Sequence, residues 1–291
     1  MPRSLGLALL LISTWASPAG AQARDPLSAV PQRLHAVVRF ELPRALEVFE
    51  AEAAVKQRLA PLGLDPRDLE ELTLALDLEA AQRLSGEGAL LLLRGKLDAE
   101  LVQFLGFVLA GSERAWGQRR YLLVPRFPEV EVPVAIALLE PGLLALGSEA
   151  LVREALATFA GEAPSLLLDP SFTREAAQVG GGLGWCVLRV APDAAPAVRS
   201  FGVRTLRARL SEEAGVLRVQ QTSTYPDYAT SELAIAQAAE LWLAAQGHLA
   251  GRGLRVPASV RPGLLGSQVE RDDTSIRLEL ELDLARWLGS R

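Results

Sequence analysis

The 291-residue sequence predicts an α+β fold made of two related β-α-β-β-α-β-type halves, antiparallel-rich sheets covered by helices on one face. Three observations predict it. Segments with apolar residues at every second position alternate with segments where they recur at about every 3.6 residues. Short turns carrying Gly or Pro separate neighbouring strands. The order of strand-like and helix-like segments then repeats after a Pro- and Gly-bearing stretch at 161–184, which suggests duplication of a split β-α-β unit although literal identity between the halves is weak. The expected organisation is a signal segment at 1–21, an N-terminal half at 22–160, a linker region at 161–184 and a C-terminal half at 185–291.

Residues 1–21 read as a secretory signal: a single basic residue, Arg3, an uncharged apolar run at 5–12, a break at Ser13 and Thr14, and small residues Ala19, Gly20 and Ala21 ahead of Gln22. Cleavage is expected after Ala21, with a cut after Ala23 as the alternative. No Cys lies nearby to carry a lipid, so the mature chain is expected free in the periplasm or outside the cell.

In the N-terminal half, 34–42 is strand-like, and Pro43 opens a helix with apolar positions Leu46, Phe49, Ala53, Val55 and Leu59, stopped by Pro61 and Gly63. Leu72, Leu74, Leu76 and Leu78 alternate with Glu71, Thr73, Ala75 and Asp77, the pattern of a half-exposed strand. Residues 89–97 follow Gly86-Glu87-Gly88 as an apolar run that both faces of a sheet would bury. Asp98 is placed to cap the next helix. Its uncharged stretch at 101–110 makes about 15 Å of helix, half of a bilayer core, so a helix buried against a sheet is expected. A polar loop and strands at 119–125 and 132–140 come next, then a type II turn at Glu140-Pro141-Gly142, a return strand, and a helix opened by Ser148 and Glu149 that runs to Phe159.

After a short helical piece at 171–179, the second half reads as a strand at 182–191, a helix at 194–200, a hairpin turning at Glu213-Ala214-Gly215, a long helix at 230–249 and a last hairpin turning at Asp272-Asp273. The final strand puts Arg277, Glu279, Glu281 and Asp283 on one face and Ile276, Leu278, Leu280 and Leu282 on the other.

Composition narrows the chemistry. With 30 basic against 35 acidic residues and a net charge of -5, the chain lacks the basic excess that nucleic acid requires, and only Lys56 and Lys96 of its basic residues are lysine. His35, His248 and Cys186 are the whole supply of imidazole and thiol ligands, so a metal site built on His or Cys is not expected, an ion held by carboxylates alone stays open, no other cofactor is expected, and a single Cys forms no internal disulfide. The chain has no G-x-S-x-G, H-E-x-x-H, C-x-x-C or Walker-type loop. Gly180, Gly181, Gly182 and Gly184 precede a strand rather than a helix, and so read as a flexible connection instead of a phosphate cradle. His35 and His248 read as structural, Cys186 as a small buried hydrophobe, and no catalytic residue is assigned. Glu70-Glu71 and Asp272-Asp273 are adjacent pairs, which in a strand point to opposite faces.

One constellation is sharper. Pairing of the 203–211 and 216–224 strands places Arg207, Arg209, Arg218, Gln220 and Thr222 on one open polar face beside the acidic final strand. Such a face can dock a protein partner, or can be a solvated surface with weak cross-strand charge pairs.

The segments LGLDPRDLEELTLAL, GALLLLRGKLDAELVQFL, RRYLLVP and AIALLEPGLLALGSEALVREAL, within about 42–160, resemble the pattern of uncharacterised exported bacterial proteins in domain-of-unknown-function families. The chain departs from that pattern at Lys96-Leu97-Asp98, where an aromatic often precedes the Asp, and at Tyr121, which lacks a preceding Gly. The resemblance implies an envelope location and carries no catalytic residues. Two functions are therefore expected: a non-catalytic exported protein that binds a protein partner or supports an envelope assembly, or an exported enzyme or small-ligand binder with its site between the halves.

Overall fold

A computed structural model of the chain describes residues 24–82, 87–127, 132–190, 202–232, 234 and 268–283. The expected signal segment, the helix at 194–200, nearly all of the helix at 230–249 and His248 lie outside the described residues. The chain forms a mixed α/β structure of two compact units, Met1–Ala177 and Gln178–Arg291.

The first unit runs β1 (Ala36–Glu41), α1 (Leu42–Val48), α2 (Glu52–Leu59), β2 (Leu69–Leu76), α3 (Leu78–Gln82), β3 (Ala89–Gly95), α4 (Ala99–Val108), β4 (Ser112–Trp116), β5 (Arg119–Val124), β6 (Val134–Glu140), β7 (Leu143–Gly147), α5 (Glu149–Phe159) and α6 (Pro170–Val179). The last two residues of α6 already belong to the second unit. Strand order in the first unit is β1-β2-β3-β7-β6-β5-β4, antiparallel at every step.

Both faces of this sheet are covered, not one. Leu72, Leu91, Leu93, Leu144, Leu146 and Ile136 face a core closed by Leu46, Leu59, Leu101 and Leu105 of α1, α2 and α4. The alternate positions are small in β2 and β6, and Thr73, Ala75, Ala135, Ala137 and Ala145 are fully buried beside Leu90 and Leu92 of β3. Against this side lie α5 and the short 3-10 helix Pro26–Ala29, which Asp25 caps through the Leu27 amide. Thr73 and Ala75 are buried along with Leu72, so β2 is not the half-exposed strand its alternation predicts. The hydroxyl of Thr73 is satisfied by donating to Glu71 at 3.0 Å.

Three further local differences have clear causes. The expected single helix from Pro43 is two, because Glu50 takes a positive φ of 48° and breaks it between Val48 and Glu52. The expected polar loop after α4 contains β4, an edge strand whose Ser112, Glu113, Arg114 and Ala115 are all exposed, so no apolar alternation marks it. The expected buried helix α4 is buried on one stripe only: Leu101 and Leu105 face inward, whereas Phe104 is 46% and Phe107 87% exposed. Asp98 does cap it, accepting from the Leu101 amide at 2.9 Å.

The second unit contains β8 (Gly184–Arg189), β9 (Thr205–Glu213), β10 (Val216–Thr224), β11 (Gln268–Asp272) and β12 (Ser275–Asp283), in the order β8-β9-β10-β12-β11 and again antiparallel throughout. The β9–β10 hairpin turns on Ala214 and Gly215 at φ 53° and 80°. Positive φ at both central residues is what a type I′ turn needs to match the twist of the strands. In both units the first three strands form a meander, and the third then pairs with the last, whose hairpin partner lies one place farther out.

An ion cluster at the edge of the first unit gives one measurable consequence. Arg33 Nη1 donates to Asp77 Oδ2 at 2.5 Å and Nη2 to Glu154 at 2.7 Å. Asp77 Oδ1 also accepts from the Glu79 and Ala80 amides at the start of α3. Burial pushes the Asp77 carboxyl up, but the Ala80 amide and the Arg33 guanidinium outweigh it and hold the carboxyl below its usual range. A carboxyl with a depressed folded pKa stabilises the fold above its unfolded value and loses that contribution as pH falls through the folded one. Asp77→Asn keeps a capping oxygen and removes the charge, so it is expected to cost about 1 kcal/mol, a modest figure because Arg33 is half exposed. In urea titrations the difference from wild type should hold steady at neutral pH and shrink below about pH 4.

Candidate functional site

The register of the second unit fixes which side chains share a face. Trp185, Arg209, Gln220 and Glu279 form one cross-strand row, and Val187, Arg207, Thr222 and Arg277 the next. Ser211, Arg218 and Glu281 form a third. Cross-strand partners point to the same side, so Arg207, Arg209, Arg218, Gln220 and Thr222 stand together on one face. The opposite face carries Cys186, Leu206, Ala208, Gln221, Leu217 and Leu278. This separation follows directly from the alternation in β9, β10 and β12.

The face is not flat. A groove of about 300 Å³ runs over Arg207, Arg209, Gln220, Thr222, Arg277 and Glu279, and Gln178 and Val179 at the end of α6 also line it. Val179 is buried and makes an apolar side of the groove, and the arginines make the other; Trp185, next to Arg209 in its row, is buried as well. Gly181 and Gly182, at φ 88° and 84°, carry the chain from α6 back toward β8. A Cβ at Gly182 would lie 2.5 Å from the Leu210 carbonyl oxygen, so this turn packs on β9 and is more than a loose connection. Sequence reasoning placed the five polar residues but missed the wall. Extending the alternation into β8 would have added Trp185; nothing in a strand pattern points to Gln178.

Charge on the face is sorted unevenly. Arg218 donates to Glu281 Oε1 from Nε at 2.8 Å and from Nη2 at 2.5 Å, and lies 3.5 Å from Glu279 and 3.6 Å from Glu213. The Glu281 hydrogen bond holds the Arg218 pKa above its ordinary value. Gln220 Nε2 donates to Glu279 at 3.1 Å. Three carboxylates thus gather on Arg218. Arg277 stands opposite Glu270 in the β11–β12 register. Arg209, in contrast, has a buried Nε with no hydrogen-bond partner.

Other groups with chemical potential are placed as structural elements. Tyr121, 2% exposed, donates to Glu149 at 2.5 Å and accepts from Arg153 Nη2 at 2.6 Å, tying β5 to the first turn of α5. That Tyr121 contact is the main reason the Arg153 pKa lies above its ordinary value. His35 Nδ1 accepts from the Leu78 amide at 3.3 Å. Burial pushes the Cys186 thiol up to about 11, far from a reactive thiolate. Among the described residues no group of three His, Cys, Asp or Glu side chains is placed to hold a metal ion, and no helix is long and apolar enough to cross a membrane.

No protein-family model and no curated protein matches the sequence. Solved structures share the fold: crystal form III of TP0453 aligns with a TM-score of 0.54 at 10% identity, covering 93% of this chain and 98% of that one. Crystal form I of TP0453 aligns with a TM-score of 0.51 at 9% identity, covering 92% and 96%. At such identity the likeness is one of fold and runs along nearly the whole chain.

Proposed function

We propose that this chain is an exported, non-catalytic protein of the periplasm or cell surface, and that the polar face of its second unit docks a protein partner. The observation that carries the reading is the grooved arginine face over β9, β10 and β12. Exposed sheet faces with cross-strand charge are common, but concavity is not needed for solvation. Export is supported by the composition of residues 1–21. The same concavity favours a second reading, in which the groove takes a small ligand; the volume, at the low end for such sites, fits one or two side chains better than a drug-sized molecule. The shared strand order of the two units supports an origin by duplication. A relative carrying a single unit would support it too, and profiles of relatives in which the units fail to align would count against it.

The test is crosslinking in cells of the tagged protein against an Arg207→Glu/Arg209→Glu variant, with circular dichroism to check that the variant folds. A specific crosslinked partner is expected for wild type, with at least a tenfold loss in the variant, since two charges reverse at the centre of the face. An unchanged crosslink rejects docking here. The mass of the recovered protein should start at Gln22 or Arg24; a chain still starting at Met1 rejects export.

A further inference from the structure

We propose that the groove is a carboxylate receptor centred on the Arg209 guanidinium, and that it takes an acidic side chain from an extended segment of the partner. This rests on the docking reading above and adds the chemistry of recognition to it.

Among the described residues, Arg209 is the cation that the face leaves uncompensated. Its row neighbours are Trp185 and Gln220, neither of them an acid. The carboxylates within reach of the face, Glu213, Glu279 and Glu281, are drawn to Arg218 instead. Its Nε is buried and makes no hydrogen bond. A buried charged donor without an acceptor is unfavourable, and an anion that supplied the acceptor would remove that cost. At Gly181 a Cβ would come within 3.8 Å of Arg209 Nη2, and the absence of any side chain there leaves that edge of the guanidinium uncovered.

The remaining lining selects the anion. A guanidinium offers a planar fork that a carboxylate or a phosphate can match. A phosphate brings close to two charges, and Glu279 lines the same groove while Arg277 already faces Glu270. One uncompensated cation beside a resident carboxylate matches a single negative charge. Gln178, Gln220 and Thr222 supply amide and hydroxyl groups for the backbone of an extended segment, and Val179 an apolar wall for its aliphatic carbons.

The experiment is calorimetric titration of the full mature chain with an acetylated, amidated Gly-Glu-Gly-Glu-Gly peptide, its Gln counterpart, free glutarate and inorganic phosphate. Saturable binding of the Glu peptide is expected, with none for the Gln peptide. Arg209→Gln should weaken it at least about tenfold. Arg209→Lys, which keeps the charge and loses the fork, should weaken it about threefold or more, and it guards against a misfolded Gln variant. Arg114→Gln, on exposed β4, should leave it unchanged. Equal binding of the Gln peptide, full affinity in Arg209→Lys, or saturation by phosphate but not by the Glu peptide each overturns the proposal. Glutarate binding as tightly as the peptide overturns the partner segment as its source. A crosslink lost in the Arg207→Glu/Arg209→Glu variant without any peptide binding would leave docking standing and remove the carboxylate; peptide binding without a crosslinked partner would do the reverse.

Discussion

Gly95→Ala is expected to lower the unfolding free energy by about 2–3 kcal/mol, the upper end for overpacking, from the addition of one methyl group. A Cβ there would sit 2.2 Å from the Asp68 carbonyl oxygen and 3.1 Å from the Leu69 Cα. Both neighbours are backbone, so no rotamer change relieves the clash. Nor can the Asp68 carbonyl swing away freely, because it accepts from the Lys96 amide at 2.9 Å. The Gly95 amide in turn donates to the Gly142 carbonyl at 3.1 Å, and the Gly142 amide to Leu97 at 2.7 Å, so a shift at Gly95 would disturb three chain segments at once. Gly117→Ala is the matching control. It too adds a methyl group, but into open space at a φ of 60°, and should cost only about 1 kcal/mol through the backbone conformation. Urea unfolding followed by circular dichroism separates the two; equal losses would mean that conformation, not contact, sets the cost.

The second large effect is a contrast within one helix. Leu105→Ala in α4 is expected to cost about 2–5 kcal/mol, since Leu105 is wholly buried among Leu93, Leu101, Ile136 and Leu146 and truncation leaves a cavity. Phe107→Ala, two residues on, should stay within about 0.5 kcal/mol of wild type although it removes the larger side chain, because that ring is 87% exposed. Thermal melts of the two variants test the orientation of α4 directly. A Phe107→Ala loss comparable to that of Leu105→Ala would show the ring buried against something.

That helix also shows what the sequence conveys and what it does not. In LVQFLGFVLA an apolar residue occupies nearly every direction round the helix, so periodicity identifies no solvent side and burial throughout is the natural expectation. The hairpin of β9 and β10 is the opposite case. There polar and apolar residues alternate cleanly, the two faces separate on paper, and Arg207, Arg209, Arg218, Gln220 and Thr222 stand together as the alternation requires. β4 escaped because an exposed edge strand has nothing to bury, and the break at Glu50 escaped because a single residue at positive φ leaves no trace in a pattern of apolar spacing. The groove was legible by half: its floor follows from period two, whereas its wall comes from the end of α6, which meets the sheet only in three dimensions.

The strand order within each unit has a kinetic consequence. Within the first unit every ladder but β3–β7 joins strands consecutive in sequence, and within the second every ladder but β10–β12 does. The hairpins β4–β5, β6–β7, β9–β10 and β11–β12 close loops of two residues and form on the microsecond scale, whereas β1–β2, β2–β3, β5–β6 and β8–β9 span longer connections. The ladders β3–β7 and β10–β12 each close a loop on the order of fifty residues, whose entropy must be met before any of its contacts is made. Among the described strands, the longest loop of each unit is therefore closed at one seam, between Leu90–Arg94 and Leu143–Gly147 in the first and between Val216–Thr224 and Ser275–Asp283 in the second. Side chains on those seams set how fast each sheet closes, while those in the outer hairpins chiefly set how slowly it opens.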